Sequence, residues 1–164
     1  MMHGDPKVYE VLYTLNIPFE YYEHPPVPTV EYASKYWAGI EATHCKNLFF
    51  RNHKGNRHYL VILEYTNVLE VKELESLLKQ GKLTFASPER MKRFLGLEPG
   101  SVSPFGLIHD LQHHVTVFLD ENLKKAEKIS FHPNLNTASL VISFHHFMKY
   151  LSFINSDFEF VRLY

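Results

Sequence analysis

The chain is poor in cysteine, in net charge and in long apolar runs, and each shortage excludes something. Its 164 residues contain one cysteine, Cys45, so no internal disulfide can form. A reducing compartment is the matching expectation, and the protein is expected to be cytoplasmic. With 17 basic against 18 acidic residues, it does not have the charge of a protein that binds chiefly by neutralising long runs of phosphate, although a locally gripped nucleic acid stays open. No apolar run approaches the ~20 residues that span a bilayer. The opening MMHGDPKVYE lacks the charged-then-apolar layout of a signal peptide. No membrane partner is expected. Nor is there a CxxC, HExxH, GxSxG, Walker or GxGxxG signature, which leaves metal, serine-nucleophile, nucleotide-triphosphate and dinucleotide chemistry without support.

What is present is a core. Hydrophobic residues make up 45% of the chain and aromatic residues 15%, enough for one folded domain across residues 1–164. Asp5-Pro6 reads as a cap and first turn, with a helix over Pro6–Leu15 that buries Val8, Val11, Leu12 and Leu15 and stops at Asn16. FEYYEH (19–24) has strand character. The prolines of HPPVPT (24–29) break any regular element, and Thr29 caps a short helix to about Trp37. KNLFFR (46–51) and HYLVILEY (58–65) flank NHKGN as a hairpin. Helices follow over 71–81, ended by Gly81, and from Ser87 to Gly96. LEPGSVSPFGLI (97–108) reads as a loop. Strands are expected at 115–120, 128–132, 137–143 and 158–163, with a helix from Ser143 to about Ile154. The pattern is α+β, with a mixed, mostly antiparallel sheet and flanking helices.

Eleven histidines invite a metal site, but His44-Cys45, His113-His114 and His145-His146 involve adjacent residues rather than i,i+4 pairs. Cys45 lacks any nucleophile signature and reads as a small, half-buried residue. Three stretches are poorly explained by packing alone. Lys46-Asn47 stands at a strand entrance, GSVSP (100–104) places Gly100 and Pro104 around small residues, and SFHPNLNTASL (130–140) carries His132, Asn136 and Thr137. Each has a bland explanation: an edge lysine, a tight loop, a polar hairpin. Together they offer a cation, amides, hydroxyls, an imidazole and a backbone-presenting loop. Such a set suits holding a polar ester and a water better than forming a covalent intermediate.

In these stretches, and in IPFEYYEHPPVPTVEYA (17–33), HCKNLFFRNHKGNRHYLVIL (44–63), LTFASPERMKRFLGLEPGSVSPFGLIHD (83–110) and VTVFLDENL (115–123), the sequence resembles the YbaK/prolyl-tRNA-synthetase editing-domain superfamily. Within it, the ProX branch of free-standing proteins is the better match. The resemblance implies a barrel-like fold around a small pocket and a trans-editing deacylase that needs no metal or organic cofactor. Its substrate would be alanine wrongly esterified to tRNA(Pro), and its partners tRNA and conceivably prolyl-tRNA synthetase or an elongation factor. The physical need is plain: a pocket shaped for proline discriminates against a smaller side chain by only ~1–3 kcal/mol, so a second sieve is required. The resemblance further implies catalytic roles for Lys46, Asn47 and His132. It gives substrate-binding roles to Gly100 and Pro104 of the GxxxP loop, to Asn136 and Thr137, and to Pro26, Val27 and Thr29 of the HPPV-x-T segment. Departures from the family pattern are Cys45, Tyr32 and the histidine-rich HDLQHH (109–114). The basic run Lys79, Lys82, Arg90, Lys92 and Arg93 is the best local expectation for tRNA contacts. The rivals are another small amino-acid specificity on the same fold and a non-catalytic tRNA or small-molecule binding module.

Overall fold

The computed structural model describes residues 1–26 and 30–164, the side chains of residues 30–33 excepted. Of the sequence-predicted site residues, Val27 and Thr29 therefore lie outside the described residues. Among those described, eight strands form one sheet. They are β1 (Glu20–Glu23), β2 (Thr43–Asn52), β3 (His58–Glu64), β4 (Leu83–Phe85), β5 (Val115–Asp120), β6 (Lys128–Phe131), β7 (Ala138–Ser143) and β8 (Asp157–Val161). Their order is β1-β7-β6-β2-β3-β5-β8, with β4 also on β2. Four of the seven pairings are antiparallel; β2–β6, β3–β5 and β5–β8 are parallel. The sheet is thus mixed and mostly antiparallel, as expected, and it is not closed, with β1 and β8 at its ends.

Among the described residues, five α-helices flank it: α1 (Pro6–Thr14), α2 (Val30–Trp37), α3 (Val71–Leu78), α4 (Pro88–Leu95) and α5 (Phe144–Phe153). Their ends follow local chemistry. Asp5, Ser87 and Ser143 each accept a backbone N–H at the start of α1, α4 and α5. Gly96 ends α4 at φ 67. The expected end of α3 at Gly81 is corrected: the helix stops at Leu78, because Lys79 itself takes a left-handed φ of 56. The segment 97–108 is not wholly irregular either, since Pro104–His109 forms a 3₁₀ helix capped by Ser103.

The main core lies on one face of the sheet, between α1, α5 and the 3₁₀ segment. It includes Val8, Leu12, Phe49, Leu60, Ile62, Val117, Phe131, Phe147 and Tyr150. A second cluster covers the opposite face of β2, β3 and β5 under α3, with Phe50, Val61, Leu63, Leu74, Leu78 and Phe118. Strand alternation assigns each residue to one cluster or the other.

The arrangement around β2 positions the site. β3 runs along one edge of β2 from Cys45 to Arg51. The other edge is shared: β6 takes Thr43 and His44, and β4 takes Phe50 to Asn52. Between them the neighbouring strands part, and Lys46 and Asn47 stand in that gap.

At the far end, Arg90 of α4 fixes the β2–β3 hairpin. Its Nη1 donates to Gly55 O at 2.9 Å and to His58 Nε2 at 3.0 Å. Gly55 sits at φ 72, and a Cβ there would lie 2.7 Å from Arg90 Nη2. Arg90→Ala removes both bonds and leaves His58 Nε2 without its donor. It is expected to cost about 1–3 kcal/mol of stability, read as a lower urea midpoint at unchanged m-value.

Candidate functional site

Three adjacent strands present small or polar residues on the face away from the main core. In β2 these are His44 and Lys46, in β6 Ser130, and in β7 Ser139; Cys45, Ile129, Phe131, Leu140 and Ile142 fill the core on the other side. The β2–β6 register pairs His44 with Ser130. Lys46 and His132 each lie two residues beyond that pair, and strand alternation puts both on this face. Lys46 and His132 are half-buried, while His44, Ser130 and Ser139 are buried. A polar sheet face that is nonetheless covered is the mark of a built site rather than of a solvated surface.

The histidines on this face have assignable tautomers, because a carbonyl can only accept. The His132 Nδ1–H donates to Ala138 O at 2.7 Å, so the neutral ring carries its lone pair on Nε2. The His24 Nδ1–H donates to Pro25 O at 3.0 Å, and its Nε2 accepts from Ser139 Oγ at 2.9 Å. The two rings lie 5.7 Å apart. Burial lowers the proton affinity of His132 below the usual imidazole range; the Ala138 bond opposes this shift and the His24 ring reinforces it. Tyr36 of α2 stacks on His24, and Trp37 stacks on His44 at 4.5 Å and 5°. The His44 Nε2–H donates to Ile40 O, which leaves Nδ1 buried without a partner. Burial lowers the His44 pKa as well.

Asn47 behaves differently from its neighbour. Lys46 pairs with Leu63 of the second cluster and Asn47 with Ile62 of the main core. Their side chains therefore leave opposite faces of β2, so the two residues for which the resemblance implies catalytic roles do not share a face. Asn47 Nδ2 donates to Val102 O at 3.2 Å, inside the GSVSP loop, and its Oδ1 is buried and unpaired. Gly100 begins that loop at φ 88, a conformation that favours glycine. A Cβ there would sit 3.5 Å from Asn136 Nδ2, so the GSVSP and FHPNLNT loops meet. Pro104 is buried, and its carbonyl accepts from Tyr150 Oη at 2.8 Å. The Thr137 carbonyl accepts the His24 N–H at 3.0 Å. Pro26 is exposed beside His24.

The structure therefore brings His132 and Thr137 together with His24 and Ser139, places Lys46 and Ser130 on the same sheet face by strand alternation, and ties Asn47 to the GSVSP loop and that loop to Asn136. Sequence reasoning overlooked His24, His44, Ser130 and Ser139. For His44, Ser130 and Ser139 the signal was present as polar residues alternating with apolar ones in HCKN, KISFH and TASLVIS. Cys45 is buried, and burial pushes its thiol up, which is the inert state expected of it. The histidines of HDLQHH are structural. His109 pairs with Asp5, His113 takes a left-handed turn, and His114 accepts from His58. Among the described residues, no three of His, Cys, Asp and Glu are grouped to hold a metal ion, and no helix is long and apolar enough to cross a membrane.

The family model described as an aminoacyl-tRNA editing domain matches residues 24–150. The chain belongs to that family. It is an aminoacyl-tRNA deacylase. Among its relatives is the prolyl-tRNA editing protein ProX of Acetoanaerobium sticklandii, 35% identical over 149 residues, covering 91% of each chain. The prolyl-tRNA synthetase associated domain-containing protein 1 of Danio rerio is 31% identical over 144 residues, 87% of this chain and 78% of that one. Among solved structures, a candidate trans-editing enzyme for prolyl-tRNA synthetase superposes with TM-score 0.69 at 21% identity, covering 98% of this chain and 99% of that one. The hypothetical protein APE2540 superposes with TM-score 0.72 at 18% identity, over 94% and 98% of the two chains. These two likenesses speak to the fold.

The neutral histidines give a pH prediction. Burial first, and the nearby His114 and arginine charges next, depress His58 to about 4, in the same direction as His44 and His132. Below the ordinary histidine pKa of ~6.5 the unfolded chain then binds more protons than the folded one, so stability falls as pH falls. For His58 the loss runs from about pH 6.5 down to its folded value and reaches about 2 kcal/mol at pH 5. Urea midpoints at pH 7 and pH 5 should differ accordingly, and His58→Gln should flatten the difference. An unchanged wild-type midpoint would contradict neutral burial.

Proposed function

We propose that the protein hydrolyses the ester joining alanine to the terminal adenosine of mischarged tRNA(Pro), acting in trans. The observation that supports this most is the covered polar face, which carries Lys46 by strand alternation and a neutral His132 whose Nε2 holds the lone pair. In this reading Lys46 stabilises the negative charge that develops at the ester and the adjoining phosphate. His132 Nε2 accepts a hydrogen from the attacking water or from the substrate's ribose hydroxyl, and His24 and Ser139 fix the floor beside it. Asn47 acts at one remove by holding the GSVSP loop, whose Gly100 backbone meets the aminoacyl group. The resemblance assigns the admission of alanine and the exclusion of proline to Pro26, Val27 and Thr29, of which Pro26 is described and exposed. Orientation and preorganised charge supply the rate, without a covalent intermediate. The names of the ProX relative and of the synthetase-associated proteins support tRNA(Pro) as the carrier. Alanine, rather than cysteine or another small residue, rests on the resemblance to the ProX branch.

The test is deacylation of Ala-tRNA(Pro), Cys-tRNA(Pro), Pro-tRNA(Pro) and Ala-tRNA(Ala), with Lys46→Ala alongside. Loss of the first alone, slowed at least a hundredfold in the variant, is the expected result. Equal loss of the cysteine ester would transfer the proposal to a broader specificity. Full activity in the variant would remove Lys46 from its role.

The tRNA body requires a basic surface, for which the run 79–93 and the neighbouring hairpin tip are the candidates. In the run 79–93, Arg90 is engaged by the hairpin, Lys92 pairs with Glu98 at 3.3 Å, and Arg93 lies over the Phe94 ring at 5.1 Å. The hairpin tip adds Arg51 and the exposed Lys54 and Arg57 beside α4. We assign the tRNA backbone to this tip. From Lys46 to Asn52 the strand measures roughly 20 Å, which suits an acceptor stem whose unpaired 3′ end reaches back to the site. Neutralising Lys54, Arg57 and Arg93 together should raise KM at unchanged kcat. The same variant should reduce the salt dependence of KM by about one unit of slope per lost phosphate contact.

A further inference from the structure

The family match begins at residue 24, yet three residues far upstream reach the loops of the candidate site. His3 Nδ1 lies 3.0 Å from Thr137 Oγ1. The His3 backbone is held from both sides, by Tyr21 Oη accepting its N–H at 2.7 Å and Tyr9 Oη donating to its carbonyl at 2.5 Å. The Asp5 N–H donates to Pro133 O at 2.9 Å, next to His132. The Asp5 carboxylate does three things at once. Oδ1 caps α1 through the Lys7 N–H, while Oδ2 meets His109 Nε2 at 2.5 Å and accepts from Asn134 Nδ2 at 3.2 Å. Asn134, in a left-handed turn at φ 63, also donates to Phe105 O. Gly4 lies so close to Pro133 that a Cβ would stand 2.6 Å from its carbonyl and 2.8 Å from its ring, at a φ of 125.

These contacts converge on the two loops that carry the site. Pro133, Asn134 and Thr137 belong to the loop that follows His132, and Phe105 and His109 belong to the segment that follows Gly100 and Pro104. Apart from these links, the two segments approach each other where Gly100 meets Asn136.

We propose that residues 3–5 are a positioning clasp: His3, Gly4 and Asp5 lock the 132–137 loop against the 100–109 segment and so set where His132 Nε2 points. None of the three touches the ester; they act through Pro133, Asn134, Thr137 and His109. The catalytic consequence rests on the editing function proposed above, whereas the clasp itself is a statement about the loops.

Two variants test it without removing a core side chain. Asp5→Asn keeps a side-chain oxygen to cap α1 but loses the charge that holds His109. Gly4→Ala pushes on Pro133. Each should lower kcat about ten- to a hundredfold, with KM for the aminoacyl-tRNA within about twofold, because a shift of ~1 Å at the reacting groups costs this much while binding elsewhere is untouched. His109→Ala should match Asp5→Asn, and the double variant should add little to either. Amide hydrogen exchange, measured on the same proteins, should quicken in residues 134–138 and stay at wild-type rates in β3 and β5. Unchanged exchange in 134–138 would overturn the clasp, as would exchange that rises equally throughout the sheet. A raised KM at unchanged kcat, or additive effects of Asp5 and His109, would overturn its positioning role. If the wild type deacylates no aminoacyl-tRNA, the proposed function fails, and the exchange comparison still decides whether the clasp holds the loop.

Discussion

Everything at the site depends on the way β2 shares one of its edges. A strand has two edges for hydrogen bonding, and β3 occupies one along most of the length of β2. On the other edge β6 and β4 each take only an end. The sheet must part between them, and a parting sheet exposes backbone and admits loops. The GSVSP and FHPNLNT loops gather there. The two-residue period of the strand then divides the Lys46-Asn47 pair, one to the covered polar face and the other to the loop behind it. Position on a strand, more than chemical kinship, decides what each residue can do.

The polar face carries a cost that a purely structural sheet would avoid. Buried histidines and serines stabilise less than apolar residues of the same volume unless every donor and acceptor is met. Here His24 and Ser139 satisfy each other and His24 and His132 donate to nearby carbonyls, while His44 Nδ1 and Asn47 Oδ1 remain unmet. Local rules are broken in this way mainly where function requires it. Carbonyl acceptors also do something that carboxylates would not. They set which imidazole nitrogen holds the proton without adding negative charge, so the rings stay neutral and basic at a chosen atom.

Much of this was legible before any coordinates. Capping residues and glycines located α1, α4 and α5 to within a residue or so, because Asp5, Ser87, Ser143 and Gly96 act through contacts within one turn. The hairpin at Gly55 and the return from β6 to β7 were equally local. The parallel neighbours β3, β5 and β8 were not visible, since that pairing joins segments separated by helices and leaves no mark in any short window. Lys79 ended α3 before Gly81 because it adopts the left-handed turn despite its side chain, which propensity alone does not anticipate. At the site, Lys46, His132, Gly100 and Thr137 could be named from motif resemblance. The opposition of Lys46 and Asn47 followed from strand parity and could have been read from the same residues. The roles of Asp5, His109 and Asn134 could not, for their partnership exists only after folding.

That last partnership has a kinetic side. His3 and Thr137 stand 134 positions apart along the chain. Closing so long a loop forfeits much chain entropy for a few polar contacts, so it follows the formation of the sheet rather than leading it. The loops that carry the candidate site consequently settle after the sheet. A chain whose strands have already paired still lacks the seating of the 132–137 loop against the 100–109 segment, and with it the arrangement on which selective hydrolysis would depend.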